Sequence, residues 1–353
     1  MKKITKLFLV ILSAASLSVS AIAGELSVTG GVTATMVQGN DDAIGGKGLG
    51  ISNELDFTAN GELDNGYTWK WQTQLDGATT VNDDTRLEFG TPYGALGLYI
   101  SEGGLDSKLG YGIGAMGTGS DYKNTFTTAT GNAIWGKNIS SYNNVQYHTP
   151  ADLLPLGIVA KVGYAPNLED SQGASAKSSG GIESKATGDD AVQYKITAAP
   201  IAGLSIGGDY MNHSKPAVAD GAYENESAAL FAKYTKGPLS VGAAVSGYQP
   251  QRASGVQTTN YGAEMYGVQF AVNDALSISY SEEKFDKHTS KETDGVNNTV
   301  TAEIDVEMEV KHLQAAYVIG GATLGVAIAD TDNDDFTVGQ EAKVTTFSIG
   351  LAF

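Results

Sequence analysis

The sequence predicts an all-β chain that closes into a transmembrane antiparallel β-barrel of about 16 strands. Three observations support this prediction: an export signal at the start, apolar residues that recur with a period of two, and connections that alternate between short and long. Composition agrees, because 45 glycines and 17 tyrosines stand against 8 prolines in 353 residues, a balance typical of strands and turns. After Ala23 the chain has no apolar run of the roughly 18 residues that a membrane helix needs.

The first residues have the pattern of a secretory signal. Lys2, Lys3 and Lys6 precede the apolar run 7–12, and Ala21-Ile22-Ala23 matches a cleavage site. The apolar run is too short for a spanning anchor. We therefore expect a signal peptide over residues 1–23 and one barrel domain over residues 24–353.

Charge and cysteine content exclude several classes of function. The chain has 22 basic and 40 acidic residues, so removing the three signal lysines leaves 19 against 40, a net charge near −21. Such a chain lacks the basic patches that bind nucleic-acid phosphates. It has no cysteine, which excludes disulfides and thiolate metal sites.

Alternation of apolar and polar residues is the main structural signal. In the last segment Phe347, Ile349, Leu351 and Phe353 share one face, and small or polar residues occupy the other. About sixteen segments show this pattern, an even number as single-chain bacterial barrels require. They span residues 25–37, 49–60, 66–75, 85–90, 95–101, 142–149, 156–165, 191–199, 203–211, 226–235, 238–247, 260–272, 275–284, 303–319, 322–330 and 343–353.

The connections alternate in length. Those after even-numbered segments are tight, whereas those after odd-numbered segments are long and polar, including 38–48, 102–141, 166–190, 285–302 and 331–342. Short turns at one end and long loops at the other are typical of an outer-membrane barrel. A soluble sandwich or propeller also has many short strands but does not predict this alternation.

A barrel of this size has consequences for its surfaces. Hydrocarbon cannot satisfy backbone polar groups, so the sheet must close, and aromatic residues should gather at the membrane interfaces. Tyr164, Tyr210, Tyr234, Tyr280 and Phe353 end apolar rows as such a girdle requires. With about sixteen strands the interior is too wide for side chains to fill, so we expect it to hold water.

The chain resembles the trimeric general-diffusion porins of Gram-negative bacteria, especially the alphaproteobacterial type. The likeness rests on the stretch 25–30, on Leu87-Glu88-Phe89-Gly90 followed by Tyr93-Gly94-Ala95-Leu96-Gly97-Leu98, and on the terminal Phe353. These motifs are short, although the pattern covers the whole mature length. The terminal Phe353 is similar to the signal that the outer-membrane assembly machinery reads.

The resemblance implies a function and partners. It implies an outer-membrane homotrimer, surrounded by lipid and lipopolysaccharide, that passes small hydrophilic solutes and ions by passive diffusion without cofactor or catalysis. It also implies that the third loop, residues 102–141, folds into the barrel. The family sets wall arginines against acids on this loop, whereas this chain has two arginines, Arg86 and Arg252, so lysines must supply most of a basic wall.

Strand parity and the resemblance together give a predicted pore constriction. Its members are acids of the third loop and inward-facing basic residues of the wall: Glu102, Asp106, Asp121, Lys70, Arg86, Lys161 and Lys195. Lys233 is a further inward-facing base. The inward acids by parity are Glu54, Asp56, Glu88, Asp209 and Glu264, and with the loop acids they predict weak cation selectivity.

Two other motifs give weaker indications of a binding site. Asp330, Asp332, Asp334 and Glu341 have the spacing of Ca²⁺ ligands in an EF-hand loop, but Asp335 stands where glycine is needed; a Ca²⁺ site there and a solvated acidic loop both remain open. Residues 112–117 match a dinucleotide-binding glycine pattern without the helix it requires. Two alternatives to a diffusion channel also remain open: a substrate-specific channel, and an adhesin or structural barrel.

Overall fold

The computed structural model describes residues 25–40, 45–76, 84–117, 138–166, 190–214, 225–250, 259–289 and 303–353. The predicted signal peptide and Asp121 lie outside these residues. Sixteen strands form the structure. They are β1 Glu25–Asn40, β2 Gly45–Glu62, β3 Thr68–Asp76, β4 Thr85–Thr91, β5 Gly94–Ile100, β6 Asn144–His148, β7 Val159–Ala165, β8 Ala191–Ala198, β9 Leu204–His213, β10 Glu226–Lys236, β11 Leu239–Gln249, β12 Thr259–Ala271, β13 Leu276–Thr289, β14 Ile304–Ile319, β15 Ala322–Asp332 and β16 Glu341–Ala352.

The strands form one closed antiparallel barrel in which each pairs with its neighbours in sequence and β1 pairs with β16. The seam ends in two backbone hydrogen bonds between Gly30 and Phe353, of 2.8 and 2.9 Å. Closure of the barrel gives hydrogen-bond partners to the backbone N–H and C=O groups that an open sheet edge would leave exposed. The predicted 16-stranded antiparallel barrel is confirmed.

Strand bounds agree with the prediction within a few residues, except at the first connection and at the end of β13, which reaches Thr289 although a loop was predicted from residue 285. A loop over residues 38–48 was predicted, but β1 reaches Asn40 and β2 begins at Gly45. Gln38 pairs with Lys47, and Asn40 pairs with Gly45. This prediction was wrong because glycine in 45–50 lowers strand propensity, whereas ladder bonds use backbone groups that glycine also has.

Three short 3-10 turns, Ile139–Ser141, Pro155–Gly157 and Asp334–Phe336, are also present. Within the described ranges, no helical segment is long and apolar enough to cross a bilayer.

The barrel has two distinct ends. The two ends of the described chain, Glu25 and Phe353, and the short turns, such as 320–321 between β14 and β15, lie at one end, which we call the terminus end. The opposite, loop end carries the connection between β5 and β6, residues 101–143, which contains the predicted third loop and of which 101–117 and 138–143 are described. Large apolar side chains cover the outer face nearer the terminus end, including Ile278, Leu313, Leu324 and Phe347, which are 42–55% exposed.

The apolar face changes sides partway along the longer strands. On β13, Ile278 and Tyr280 point outward, but beyond them the outward residues are Glu282 and Lys284. At that level the inward residue Phe285 is buried. A barrel wall in lipid is apolar outside, whereas one in water is apolar inside. The inversion therefore marks where the strands pass from a membrane-like to a water-like environment.

Charged side chains cover the outer wall beyond this inversion. We call them the outer charged rim: Glu264, Glu282, Lys284, Asp286, His288, Asp305, Glu307, Glu309, Lys311, Asp330, Asp332, Glu341 and Lys343. Opposite charges meet across neighbouring strands, as in Lys343–Asp330 at 2.8 Å and Lys284–Glu309 at 3.4 Å. Glu264 belongs to this rim, so its predicted inward position was wrong: it shares a face with the exposed Tyr266 and Val268.

Candidate functional site

The described residues of the third loop, 101–117 and 138–143, lie along the inner face of the wall and contact several strands in turn. Gln146 on β6 donates to the carbonyl of Gly103, and Gln193 on β8 accepts from the amide of Ile139 at 2.9 Å. Farther along, Gln314 on β14 accepts from Met116 N and donates to Gly117 O, both at 2.8 Å. Uncharged wall side chains thus satisfy backbone groups that the loop cannot satisfy by itself.

Side-chain oxygens of two further wall residues also accept hydrogen bonds from the loop. The Asp209 carboxylate on β9 accepts from the amide of Ser107 at 2.6 Å and from the side chain of Gln193 at 2.9 Å. The Ser279 hydroxyl on β13 accepts from the amide of Ala115 at 2.8 Å. The described start of the loop, residues 101–117, therefore contacts the wall from β6 to β14.

An apolar core fastens the middle of this segment. Tyr111 and Ile113 are fully buried and belong to a cluster with Met265, Phe285 and Met308 on the inner wall. The Tyr111 hydroxyl donates to the buried carboxylate of Glu283. Burial of two large side chains and a hydrogen bond to a buried carboxyl group hold this segment of the loop in position.

Glycines in the wall allow the loop to come this close. A Cβ at Gly242 would lie 2.5 Å from the Tyr111 carbonyl oxygen, and one at Gly267 would lie 2.7 Å from the Ile113 side chain. Both distances are shorter than a van der Waals contact. The wall therefore requires glycine where Tyr111 and Ile113 rest on it.

Charged residues meet between the wall and the start of the loop. Arg86 on β4 forms an ion pair with Glu102 at 3.2 Å and also donates to Gln72. Burial raises the pKa of Glu102 above its ordinary value, and the charge of Arg86 opposes that shift.

Farther along, two wall lysines contact the loop and one lysine of the loop lies near a loop carboxylate. Lys195 on β8 donates to the Asp106 carbonyl at 2.6 Å, and Lys233 on β10 donates to the Gly112 carbonyl at 2.7 Å. Lys108 of the loop lies 3.4 Å from the Asp106 carboxylate. The wall bases therefore fasten the loop as well as lending charge to the interior.

The structure thus brings together four of the predicted constriction residues, as Arg86 with Glu102 and Lys195 with Asp106. Lys70 and Lys161 lie on the same inner face, opposite Glu88 and Lys195 in register. Within the described ranges neither forms a hydrogen bond or ion pair with the loop. Asp121 lies outside the described residues.

The inner wall differs between its two halves. The ionisable residues named above lie mostly on β2–β9, whereas the loop end of β12–β16 presents Met265, Met308, Val310 and Val344, all at most 2% exposed. Phe336, from the connection between β15 and β16, is also buried in this cluster. The third loop therefore covers an apolar half and faces a charged half.

The four acids that the sequence suggested for Ca²⁺ do not form a ligand set. Asp330 pairs with Lys343 and Asp332 with Lys311 on the outer wall, whereas Asp334 is fully buried. In the described part of the chain, no three of these carboxylates lie close enough to share one ion. The EF-hand spacing does not apply because Asp330 and Asp332 stay on the outer face of β15, whereas Asp334 begins the 3-10 turn Asp334–Phe336 and is buried there.

No protein-family model and no curated protein sequence matches the chain. Solved structures match over almost its whole length. OmpT, an outer membrane protein of Vibrio cholerae, is 13% identical with a TM-score of 0.64, covering 96% of this chain and 99% of its own. For the anion-selective porin of Comamonas acidovorans these values are 13%, 0.66, 94% and 100%. For Salmonella typhi OmpF, solved with daunomycin, they are 13%, 0.59, 95% and 100%.

The chain has the fold of Gram-negative outer-membrane porins. At this identity the likeness shows the fold, and it does not single out the alphaproteobacterial type. Sequence reasoning did not identify several residues that hold the third loop in this porin fold, among them Tyr111, Glu283, Gln193 and Gln314. Period-two parity places Gln193 and Gln314 on the inner face, but only a known loop path gives them a partner.

Proposed function

We propose that this protein is an outer-membrane channel for passive diffusion of small hydrophilic solutes and ions. The observation that carries the proposal is a closed 16-stranded barrel whose interior holds a loop segment facing polar and charged wall residues. A barrel of this strand number is wide enough for an aqueous lumen. In this interpretation residues 101–117 narrow the lumen and form its constriction.

The solute path follows the charged half of the wall. Residues 109–117 pack on the apolar half through Tyr111 and Ile113, so water and solutes have the space next to β3–β9. Arg86 with Glu102 and Lys195 with Asp106 border this path, and Lys70 and Lys161 face it. The excess of acids over bases in the chain, 40 against 22, supports weak cation selectivity.

The membrane placement follows from the outer wall. The apolar belt lies in the lipid, and the outer charged rim stands at the extracellular headgroups and above them, where lipopolysaccharide would contact it. Export by the signal peptide of residues 1–23 and assembly through the terminal Phe353 belong to the same proposal. Phe353 is 68% exposed at the end of the closing seam, accessible to the assembly machinery.

The protein acts as a homotrimer in this proposal. A cavity of about 740 Å³ opens on the outer face of β1, β2 and β16, and Leu49 and Ile51 along it are 87% and 74% exposed. A concave apolar surface of this kind fits the side chains of a neighbouring subunit better than it fits a smooth lipid surface. One V. cholerae OmpT structure with this fold is described as a trimer form.

The proposed channel needs no cofactor and carries out no catalysis. The wall polar groups that converge in the lumen bind the loop's own backbone, as Asp209 binds Ser107 and Gln314 binds Gly117. In the described part of the chain, these groups therefore serve to hold the loop in place. A passive channel requires only this fixed polar lining.

Swelling of liposomes in uncharged sugars tests the proposal. Vesicles containing the folded protein should swell, at rates that fall smoothly as the sugar becomes larger, because a wide aqueous path sieves by size. Vesicles with boiled protein are the control. One sugar entering far faster than its size allows would indicate a substrate-specific channel, and no swelling would favour an adhesin or structural barrel.

A further inference from the structure

A histidine and two carboxylates converge on the outer wall at the loop end, away from the lumen. His288 is the penultimate residue of β13, and its register partner across β14 is Asp305. Glu303 immediately precedes β14. The ligand atoms of these three side chains all lie within 4.8 Å of one another, the one such group in the described part of the chain.

The two imidazole nitrogens face different carboxylates. Nδ1 of His288 lies 2.5 Å from Asp305 Oδ1, and Nε2 lies 3.9 Å from Glu303 Oε1. The short distance is a hydrogen bond to Asp305, and in the neutral tautomer that carries its proton on Nδ1 the Nε2 atom is an acceptor on the side of Glu303. Metal-binding histidines commonly donate their second ring N–H to a carboxylate in this way, which fixes the tautomer and orients the ring.

The gap beside Nε2 suits a metal ion with nitrogen and oxygen ligands. With metal–ligand distances of about 2.0–2.2 Å, two ligands of a tetrahedral Zn²⁺ lie roughly 3.3 Å apart, so a small rotamer adjustment of exposed Glu303 closes the difference. Asn260 of β12 is directly opposite His288 in register. Its side-chain oxygen is shielded from solvent and has no hydrogen-bond partner among the described residues.

We propose that this cluster is a Zn²⁺ site on the rim of the barrel, with His288 and Glu303 as ligands. Asn260 supplies a further oxygen, and Asp305 orients the imidazole. Zn²⁺ accepts imidazole nitrogen together with carboxylate oxygen, whereas Ca²⁺ prefers oxygen ligands alone. The bound ion would join β12, β13 and β14 at the base of the connection 290–302.

Without a metal, the same arrangement is a histidine held between two carboxylates. The two interpretations make different predictions about Zn²⁺, since only a metal site competes with bulk water for the ion. The cluster lies on the outer wall, so its failure would leave the channel proposal unchanged.

Calorimetric titration of the folded, chelator-dialysed protein in detergent with ZnCl₂ tests the site. We expect one saturable site that is absent with CaCl₂ and weakened at least tenfold in both His288→Asn and Glu303→Gln. Asp305→Asn should weaken binding by roughly 10-fold to 100-fold, as loss of a carboxylate behind a ligating histidine does. Glu341→Gln removes an exposed rim carboxylate outside the cluster and should bind as the wild type does.

All four substitutions are at exposed or half-buried rim positions, and a heat-dependent shift in SDS gels verifies that each variant is folded. Absence of Zn²⁺ binding by the wild type, or equal binding by His288→Asn, would overturn the proposal and leave a histidine–carboxylate ion pair.

Discussion

Tyr111→Ala is expected to release the third loop from the barrel wall, so that channel currents become larger and noisier. Tyr111 is fully buried inside the barrel, packs in the cluster with Phe285 and Met308, and donates to Glu283. Truncation of a large buried aromatic side chain removes about 3–5 kcal/mol of stabilisation. The barrel ladder does not involve Tyr111, so the loss should fall on loop attachment and leave the barrel closed.

Two further variants make this result specific. Tyr111→Phe removes only the hydroxyl and deprives Glu283 of one donor, a change of about 1–3 kcal/mol, so its current noise should be intermediate. Tyr93→Ala truncates a tyrosine that is 77% exposed at the terminus end and should conduct like the wild type. Single-channel recording that finds identical conductance and noise in Tyr111→Ala and wild type would mean that this core does not position the loop.

Neutralising Glu102 and Asp106 together is expected to weaken or reverse cation selectivity. The double substitution Glu102→Gln/Asp106→Asn removes two negative charges from the path and leaves Arg86 and Lys108 without these carboxylate partners. A unit charge about 4 Å from an ion contributes about 1 kcal/mol in water, so the cation-to-anion permeability ratio should fall roughly fivefold or more. The reversal potential under a KCl gradient measures this ratio.

A lower pH should also change the charge at Glu102. Because burial raises the pKa of Glu102, this carboxylate is protonated at a higher pH than an exposed glutamate. Cation selectivity should therefore decline as the pH falls from neutral into the mildly acidic range, and less so in Glu102→Gln.

The control for both measurements is Asp64→Asn/Asp274→Asn, which removes two exposed acids from turns at the terminus end. It lowers net charge equally but should leave the ratio nearly unchanged. An anion-selective wild type would show that Lys70, Lys161 and their neighbours dominate, and would contradict the charge argument.

The sequence was sufficient to predict the barrel fold and the inward orientation of most basic wall residues. Period-two alternation predicted the sixteen strands, including the short β4 and β5, since each outer face must be apolar in lipid. Parity also placed Lys70, Arg86, Lys161 and Lys195 correctly, because they lie on strands with an unbroken alternation.

The prediction of side-chain orientation failed where a strand extends beyond the lipid. Glu264 was predicted by strand parity to point inward, yet beyond the inversion the outer wall contacts water and carries charges. For the same reason, apolar residues such as Met308 and Phe285 point inward there and bind the third loop. The position of the inversion depends on how far each strand extends, which local sequence does not specify.

The sequence also could not predict which residues become neighbours when they are distant in the chain. The spacing of Asp330, Asp332, Asp334 and Glu341 suggested ligands because it matches a loop between helices. In the structure Asp330 and Asp332 pair with lysines on the outer wall, whereas Asp334 is buried in a 3-10 turn. His288 and Asp305 are far apart in the chain and become neighbours only through the β13–β14 register. Likewise, Tyr111 meets Glu283 only because of the path of the third loop.

Single-channel conductance of the folded wild-type protein in a planar bilayer tests the central claim most directly, that a continuous aqueous path runs through the barrel beside the third loop. We predict stepwise insertions, each opening a lasting ohmic conductance that rises in proportion to salt, as a water-filled path requires. Insertions would occur in groups of three steps if the protein is a homotrimer. Verified insertion of folded protein without any conductance steps would contradict the account, because residues 101–143 would then close the barrel.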